Sequence, residues 1–241
     1  MKKVWLLFLS LLLALPGCER RPAPDEEAVV LVHGLGRSRA SMAVLAQRLE
    51  WAGYGVVTVG YRSLRTAFPE QVATVRSVVE RCCAESPRIH FVGHSLGGLV
   101  IRGYLAESPP EQLGRAVLLA PPSQGSLFVD WLEEIPAATE VLGPVGSELG
   151  TDSTDIPATL PPPDYEVGII AGNRSIQPIG HLAIPGPDDG VVSVEQTRIE
   201  GVPVIVLPRS HAFIMSSRYT AQAVIRFLRT GEFGSITEWP W

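Results

Sequence analysis

The segment IHFVGHSLGGLVIR, Ile89–Arg102, decides how the rest of the chain is read. Its opening residues are β-branched or aromatic, as in a buried strand, and its closing residues run on into an apolar helical pattern. Between the two halves Ser95 stands midway between Gly93 and Gly97. A strand that gives way to a helix within so few residues needs a sharp, strained turn. Side chains two residues either side of the serine would collide there, so glycine fits both places. Such a turn lifts the serine Oγ clear of the sheet and aims the positive end of the next helix at whatever the oxygen attacks. Glycine supplies 23 of 241 residues, so the pentapeptide alone is weak and its strand–turn–helix setting carries the reading.

Working outward, the same alternation repeats. AVVLVHG from Ala28, GVVTVGYRS, RIHFVGH, RAVLLAPP, YEVGIIAGN and PVIVLPRS read as six strands. Between or after them, SMAVLAQRLEWAGY, FPEQVATVRSVVERCCAE, SLGGLVIRGYLAES and RYTAQAVIRFLRTG read as helices, with Ser41 as a cap and Pro69 in a first turn. Pro109–Pro110 ends the third helix and Gly231 the last. Near-continuous Val/Ile/Leu strands separated by helices predict an α/β fold, a mainly parallel sheet covered on both faces. Residues 123–164 break the rhythm: they are rich in Pro, Gly, Thr and acids, with one apolar helix candidate, SLFVDWLEEI. Such insertions gather beyond the carboxyl ends of the strands, and this one reads as a lid, a wall or a plain surface excursion. The tail EFGSITEWPW reads as a loosely packed extension.

GHSLGG at residues 93–98, together with the HG turn at His33–Gly34, resembles the α/β-hydrolase superfamily, in particular its bacterial lipase and esterase branch. The resemblance spans Ala28 to Arg229. It implies a doubly wound sheet of about six strands and a Ser–Asp–His triad in that chain order. Ser95 is then the nucleophile. A serine hydroxyl needs a base to take its proton, and five histidines compete for the role. His211, on the loop after the sixth strand, stands where the family places its catalytic histidine, with His181 as the rival. His33 matches a structural histidine of the family, His90 lies inside a strand, and His94 is expected to point away from Oγ. The carboxylate that orients the base lies in PGPDDGVVS, where Asp188 and Asp189 compete. The family pattern of DG followed by apolar residues selects Asp189, leaving Asp188 to cap a short helix VVSVEQ. The resemblance assigns the oxyanion-hole N–H groups to Leu35 and Leu96.

The N-terminus differs in kind. MKK, then VWLLFLSLLLAL, then PGC has the basic, apolar and small-residue regions of an export signal, and the apolar run is short for a membrane span. LPGC, Leu15–Cys18, resembles a bacterial lipobox. That implies a signal peptide over 1–17, lipidation of Cys18, a tether over 18–27 and an α/β-hydrolase domain over 28–241. Glu19 implies sorting to the outer membrane, periplasmic face; secretion or a free periplasmic protein is the alternative. The other cysteines, Cys82 and Cys83, are adjacent, and neighbouring residues bridge only with strain, so both are expected as thiols without a disulfide framework.

A net charge of −5 without a basic run points away from nucleic acid. No metal-ligand spacing, nucleotide loop or flavin motif is legible, so no cofactor and no metal are expected. The expected function is hydrolysis of carboxylic esters through an acyl-enzyme. The partners would be a small ester or lipid and a membrane reached by the lipid anchor. An acyltransferase or thioesterase using the same triad is the alternative, and a non-catalytic envelope lipoprotein is the third reading.

Overall fold

A computed structural model describes residues 21–135, 138–176 and 184–234. Six strands, β1 (Ala28–Val32), β2 (Gly55–Val59), β3 (Ile89–His94), β4 (Leu113–Leu119), β5 (Val167–Gly172) and β6 (Val204–Leu207), form one sheet in the order β2-β1-β3-β4-β5-β6. Every neighbouring pair is parallel. The strands are buried from both faces, which is why they read as unbroken apolar runs rather than as alternating ones.

The two-residue strand period still sorts their side chains between two cores. In β1, Ala28, Val30 and Val32 pack with Val72, Val75 and Val79 of α2 (Phe68–Cys82) and with Leu99 and Leu105 of α3 (Leu96–Glu107). Val29 and Leu31 face the opposite core. They meet Leu45 and Leu49 of α1 (Ala43–Trp51) there, with Val224 and Phe227 of the last helix, Arg218–Thr230. The chain leaves β1 for β2 on one side and then returns to β3 on the other. The strand order therefore reverses between β1 and β3, and the loops after these two strands part in opposite directions, opening a crevice at the carboxyl edge. Val32 pairs in register with Gly93, so the HG turn and the serine turn stand side by side.

Several local expectations are corrected. The first helix starts at Ala43, and Ser41 lies in the 3-10 turn before it, donating its hydroxyl to the Ser38 carbonyl at 2.7 Å. The insertion holds more helix than its sequence announces: α4 (Leu127–Glu133), α5 (Ala138–Gly146) and the single turn α6 (Ile156–Thr159). Gly143 at φ 69 followed by Pro144 breaks α5, which hides it from a helical-periodicity search. VVSVEQ is no helix: Ser193 bridges back to Asp188 and a turn follows. Phe233 of the tail is buried, 4.7 Å from the Phe227 ring. Pro22 of the tether is buried too, packed so closely on Gly55 that a Cβ there would come within 2.4 Å of the Pro22 ring.

Cys83 is a free thiol whose burial pushes its pKa up to about 12. Cys82, the last residue of α2, is buried beside it. Cys18 and His181 lie outside the described residues. No helix among the described residues is long and apolar enough to cross a membrane.

Candidate active site

Ser95 sits between β3 and α3 with φ 54 and ψ −126, a conformation costly for any residue with a Cβ. Close packing holds it there. A Cβ on Gly93 would come within 2.6 Å of the Gly97 carbonyl, and one on Gly97 within 2.3 Å of the Val32 carbonyl oxygen. The Ser95 N–H donates to the Leu119 carbonyl at 2.9 Å, which ties the turn to β4. Leu96 opens α3, so its N–H has no acceptor within the helix. The steric reason given for glycine at both positions is therefore visible atom by atom.

Asp189 and His211 meet. The His211 Nδ1–H donates to Asp189 Oδ2 at 2.8 Å, and the His211 backbone N–H donates to the Asp189 carbonyl at 2.9 Å. The other carboxylate oxygen, Oδ1, accepts from the N–H groups of Val191 at 3.0 Å and Val192 at 2.9 Å. The side chain is fully buried, and three donors hold the carboxylate in one orientation. Asp188 turns elsewhere, its Oδ1 accepting from the Gly190 N–H at 2.8 Å. With the proton fixed on Nδ1, the neutral ring offers Nε2 as an acceptor. The Ser95 hydroxyl makes no hydrogen bond to a described residue. It shares one cavity with the His211 ring, and catalytic hydrogen bonds commonly tighten only when substrate is bound.

In the turn after β1 the Gly36 N–H is committed to Ser63 Oγ at 3.0 Å and the Arg37 N–H to the Gly34 carbonyl at 3.3 Å. The N–H of Leu35, the donor that the resemblance implies, makes no hydrogen bond to a described residue. Tyr61 donates its hydroxyl to the His33 carbonyl and stacks on the His33 ring at 4.3 Å, bracing the turn from beneath.

His94 is the residue that sequence reasoning passed over. Its Nε2–H donates to the His211 carbonyl at 3.0 Å and its ring lies 4.8 Å from that of His211. A carbonyl only accepts, so Nε2 carries the proton. Burial first, then the neighbouring His211, hold the His94 pKa well below the usual histidine range. The residue before the serine thus staples the serine turn to the histidine loop. Its place one residue before Ser95 is the only signal the sequence offers.

The cavity that Ser95 and His211 share is about 200 Å³ and mainly apolar, with Leu35, Phe128, Val129, Leu132, Leu142 and Val192 in its wall. Three of these side chains come from α4, so the insertion forms a wall of the site. Ser126, the α4 cap, donates its hydroxyl to the Val191 carbonyl at 2.6 Å and fastens that wall to the loop of Asp189. A larger groove of about 830 Å³ runs along the free edge of β2, between α1 and α2, and includes none of Ser95, Asp189 and His211. No group of three or more His, Cys, Asp or Glu side chains placed to hold a metal ion exists among the described residues.

Residues 29–168, more than half of the chain, match the Alpha/beta hydrolase family. The chain belongs to that family. The human lysosomal thioesterase PPT2 is 27% identical over 232 residues, covering 82% of this chain and 76% of its own length. Among solved structures, the mature lipase BlEst2 of Bacillus licheniformis superposes with a TM-score of 0.65 at 16% identity, covering 88% of this chain and 94% of its own. The metagenomic carboxyl esterase MGS0156 gives 0.59 at 19% identity, covering 80% and 67%. The two solved structures share the α/β-hydrolase fold with this chain.

Proposed function

We propose that this α/β hydrolase cleaves carboxylic esters through an acyl-enzyme on Ser95. The observation that carries the reading is the 2.8 Å bond from His211 Nδ1 to the buried Asp189, with His211 and Ser95 bordering one apolar cavity. His211 Nε2 takes the Ser95 proton as Oγ attacks the ester carbonyl, and Asp189 stabilises the imidazolium that forms. The N–H groups of Leu35 and Leu96 receive the negative oxygen of the tetrahedral intermediate. The intermediate collapses, His211 protonates the departing alcohol, and the acyl group stays on Oγ. His211 then deprotonates a water, which attacks the acyl-enzyme, releases the acid and restores the serine.

A fluorophosphonate probe tests this directly. The intact protein labels at Ser95 and Ser95→Ala does not; an unlabelled intact protein removes the reading.

A thioester substrate is the second reading, favoured by the likeness to a thioesterase across 82% of the chain. Matched oxygen and sulfur esters of one acyl chain separate the two by their kcat/KM ratio. An acyltransferase would show itself by acyl transfer to an added alcohol. We further propose cleavage after residue 17 and lipidation of Cys18, which would hold the enzyme on the periplasmic face of an outer membrane. Cys18→Ser should then lose incorporation of labelled fatty acid.

A further inference from the structure

Among the described residues, the wall of the site contains one fixed cation. Arg37 borders the cavity beside Leu35, Ser95 and His211, and apart from the histidines the remaining lining side chains are uncharged. Its guanidinium is exposed, and no hydrogen bond or ion pair joins it to a described carboxylate. The backbone beneath it is set: Gly34 and Arg37 close a turn at 3.3 Å, and the intervening Gly36 is bonded to Ser63. Arg37 also stands near enough to His94 for its positive charge to bear on that ring.

Among the described residues that line the cavity, none offers this arginine a carboxylate. The insertion across the cavity, residues 123–164, is uniformly acidic: it holds eight Asp or Glu and no Lys, Arg or His. Two of those acids are already engaged, Asp130 with Thr151 and Asp155 with the Asp152 backbone N–H. The approach to the serine therefore has a basic lip and an apolar interior. A guanidinium presents a planar fork of donors that matches carboxylate and phosphate oxygens, and it strengthens where solvent is partly excluded.

We propose that Arg37 makes this an ester-binding site for anionic substrates, pairing with a carboxylate or phosphate group carried close to the scissile bond. The inference rests on the hydrolase reading above and adds to it the charge of the substrate. The anion could be carried on the acyl chain or on the leaving group, and the two sources have different probes.

The experiment compares kcat/KM on two matched pairs, using the full chain. One pair is the 4-nitrophenyl ester of butyric acid against that of glutaric acid, whose free carboxylate is on the acyl side. The other is monooctanoylglycerol against its 3-phosphate, with the anion on the leaving side. In at least one pair Arg37→Gln lowers the anionic-to-neutral ratio about tenfold, the worth of one charge-assisted contact. Arg37→Lys retains part of the preference, and added salt erodes that of the intact enzyme. The pair that responds identifies the side that carries the anion.

Ratios unchanged in both pairs overturn the inference, whether the absolute rates fall together or stay level. If the intact protein hydrolyses none of the four and takes no fluorophosphonate at Ser95, the hydrolase reading falls and the inference with it. Labelling with an unresponsive ratio removes the inference alone.

Discussion

The serine turn and the insertion that walls its cavity are built on different principles. The turn is held by backbone against backbone: Gly97 faces the Val32 carbonyl, Gly93 faces Gly97, and the Ser95 N–H reaches across to β4. The insertion adds side chains to such contacts: Gly143 faces the Leu64 carbonyl, but Val129, Leu142 and Leu149 pack on the core, and Ser126 reaches Val191. Backbone contacts admit almost no change of residue, whereas apolar side-chain contacts tolerate exchanges of similar volume. One region fixes where the reacting oxygen sits. The other shapes what reaches it.

Substitutions break or sharpen that contrast in a graded way. The largest effect is expected from Asp189→Asn, which supplies the wrong partner to His211 Nδ1 and should lower kcat by about 10³–10⁴-fold while the fold persists. Asp188→Asn should cost far less, and esterase assays of the two variants side by side check this. Equal losses would transfer the orienting role away from Asp189.

Next comes Gly97→Ala, whose methyl would lie 2.3 Å from the Val32 carbonyl oxygen. Overpacking of this kind costs about 1–3 kcal/mol, so a clear fall in Tm is expected by calorimetry. An unchanged Tm would mean that the turn is looser than these contacts require. In the insertion, Leu142→Phe should narrow the cavity without unfolding the protein. The ratio of kcat/KM on long-chain to short-chain 4-nitrophenyl esters should fall by up to about tenfold, the scale of a few methylenes in an apolar pocket. An unchanged profile would show that the acyl chain lies elsewhere.

The mildest prediction concerns acid. His33, His90 and His94 have pKa values lowered from 6.5, in each case chiefly by burial. Between their folded values and the unfolded one of about 6.5, the unfolded chain binds more protons. Stability present at neutral pH is therefore lost as pH falls below that value, and Tm should drop between pH 7.5 and 5.5. A flat or rising Tm would contradict it, and His94→Asn should shallow the slope.

The contrast also explains what was legible in the sequence. All six strands, the serine turn and its glycines are local patterns, visible because each depends on residues within a few positions of itself. The choice of Asp189 rested on chain order and resemblance, and its carboxylate lies 2.8 Å from His211 Nδ1. What was missed depends on contacts across the fold. His94 gains its part from a carbonyl 117 residues away, and Ser126 from one 65 residues away. VVSVEQ has the composition of a helix, yet Asp189 Oδ1 takes the N–H groups of Val191 and Val192, and the chain turns instead. In the insertion, Gly143 and Pro144 interrupt the periodicity that would have announced α5.

Pro22 has a geometric consequence. It is pinned beside Gly55, the first residue of β2, at the amino edge of a sheet whose strands all point toward the serine. Between it and the proposed lipid attachment at Cys18 lie only residues 19–21, a leash of about 14 Å even when fully stretched. A bilayer held at that end would leave the mouth of the cavity looking outward, away from the surface to which the enzyme is moored. Its natural catch would then be esters adrift in the aqueous space beyond, rather than the lipids underfoot.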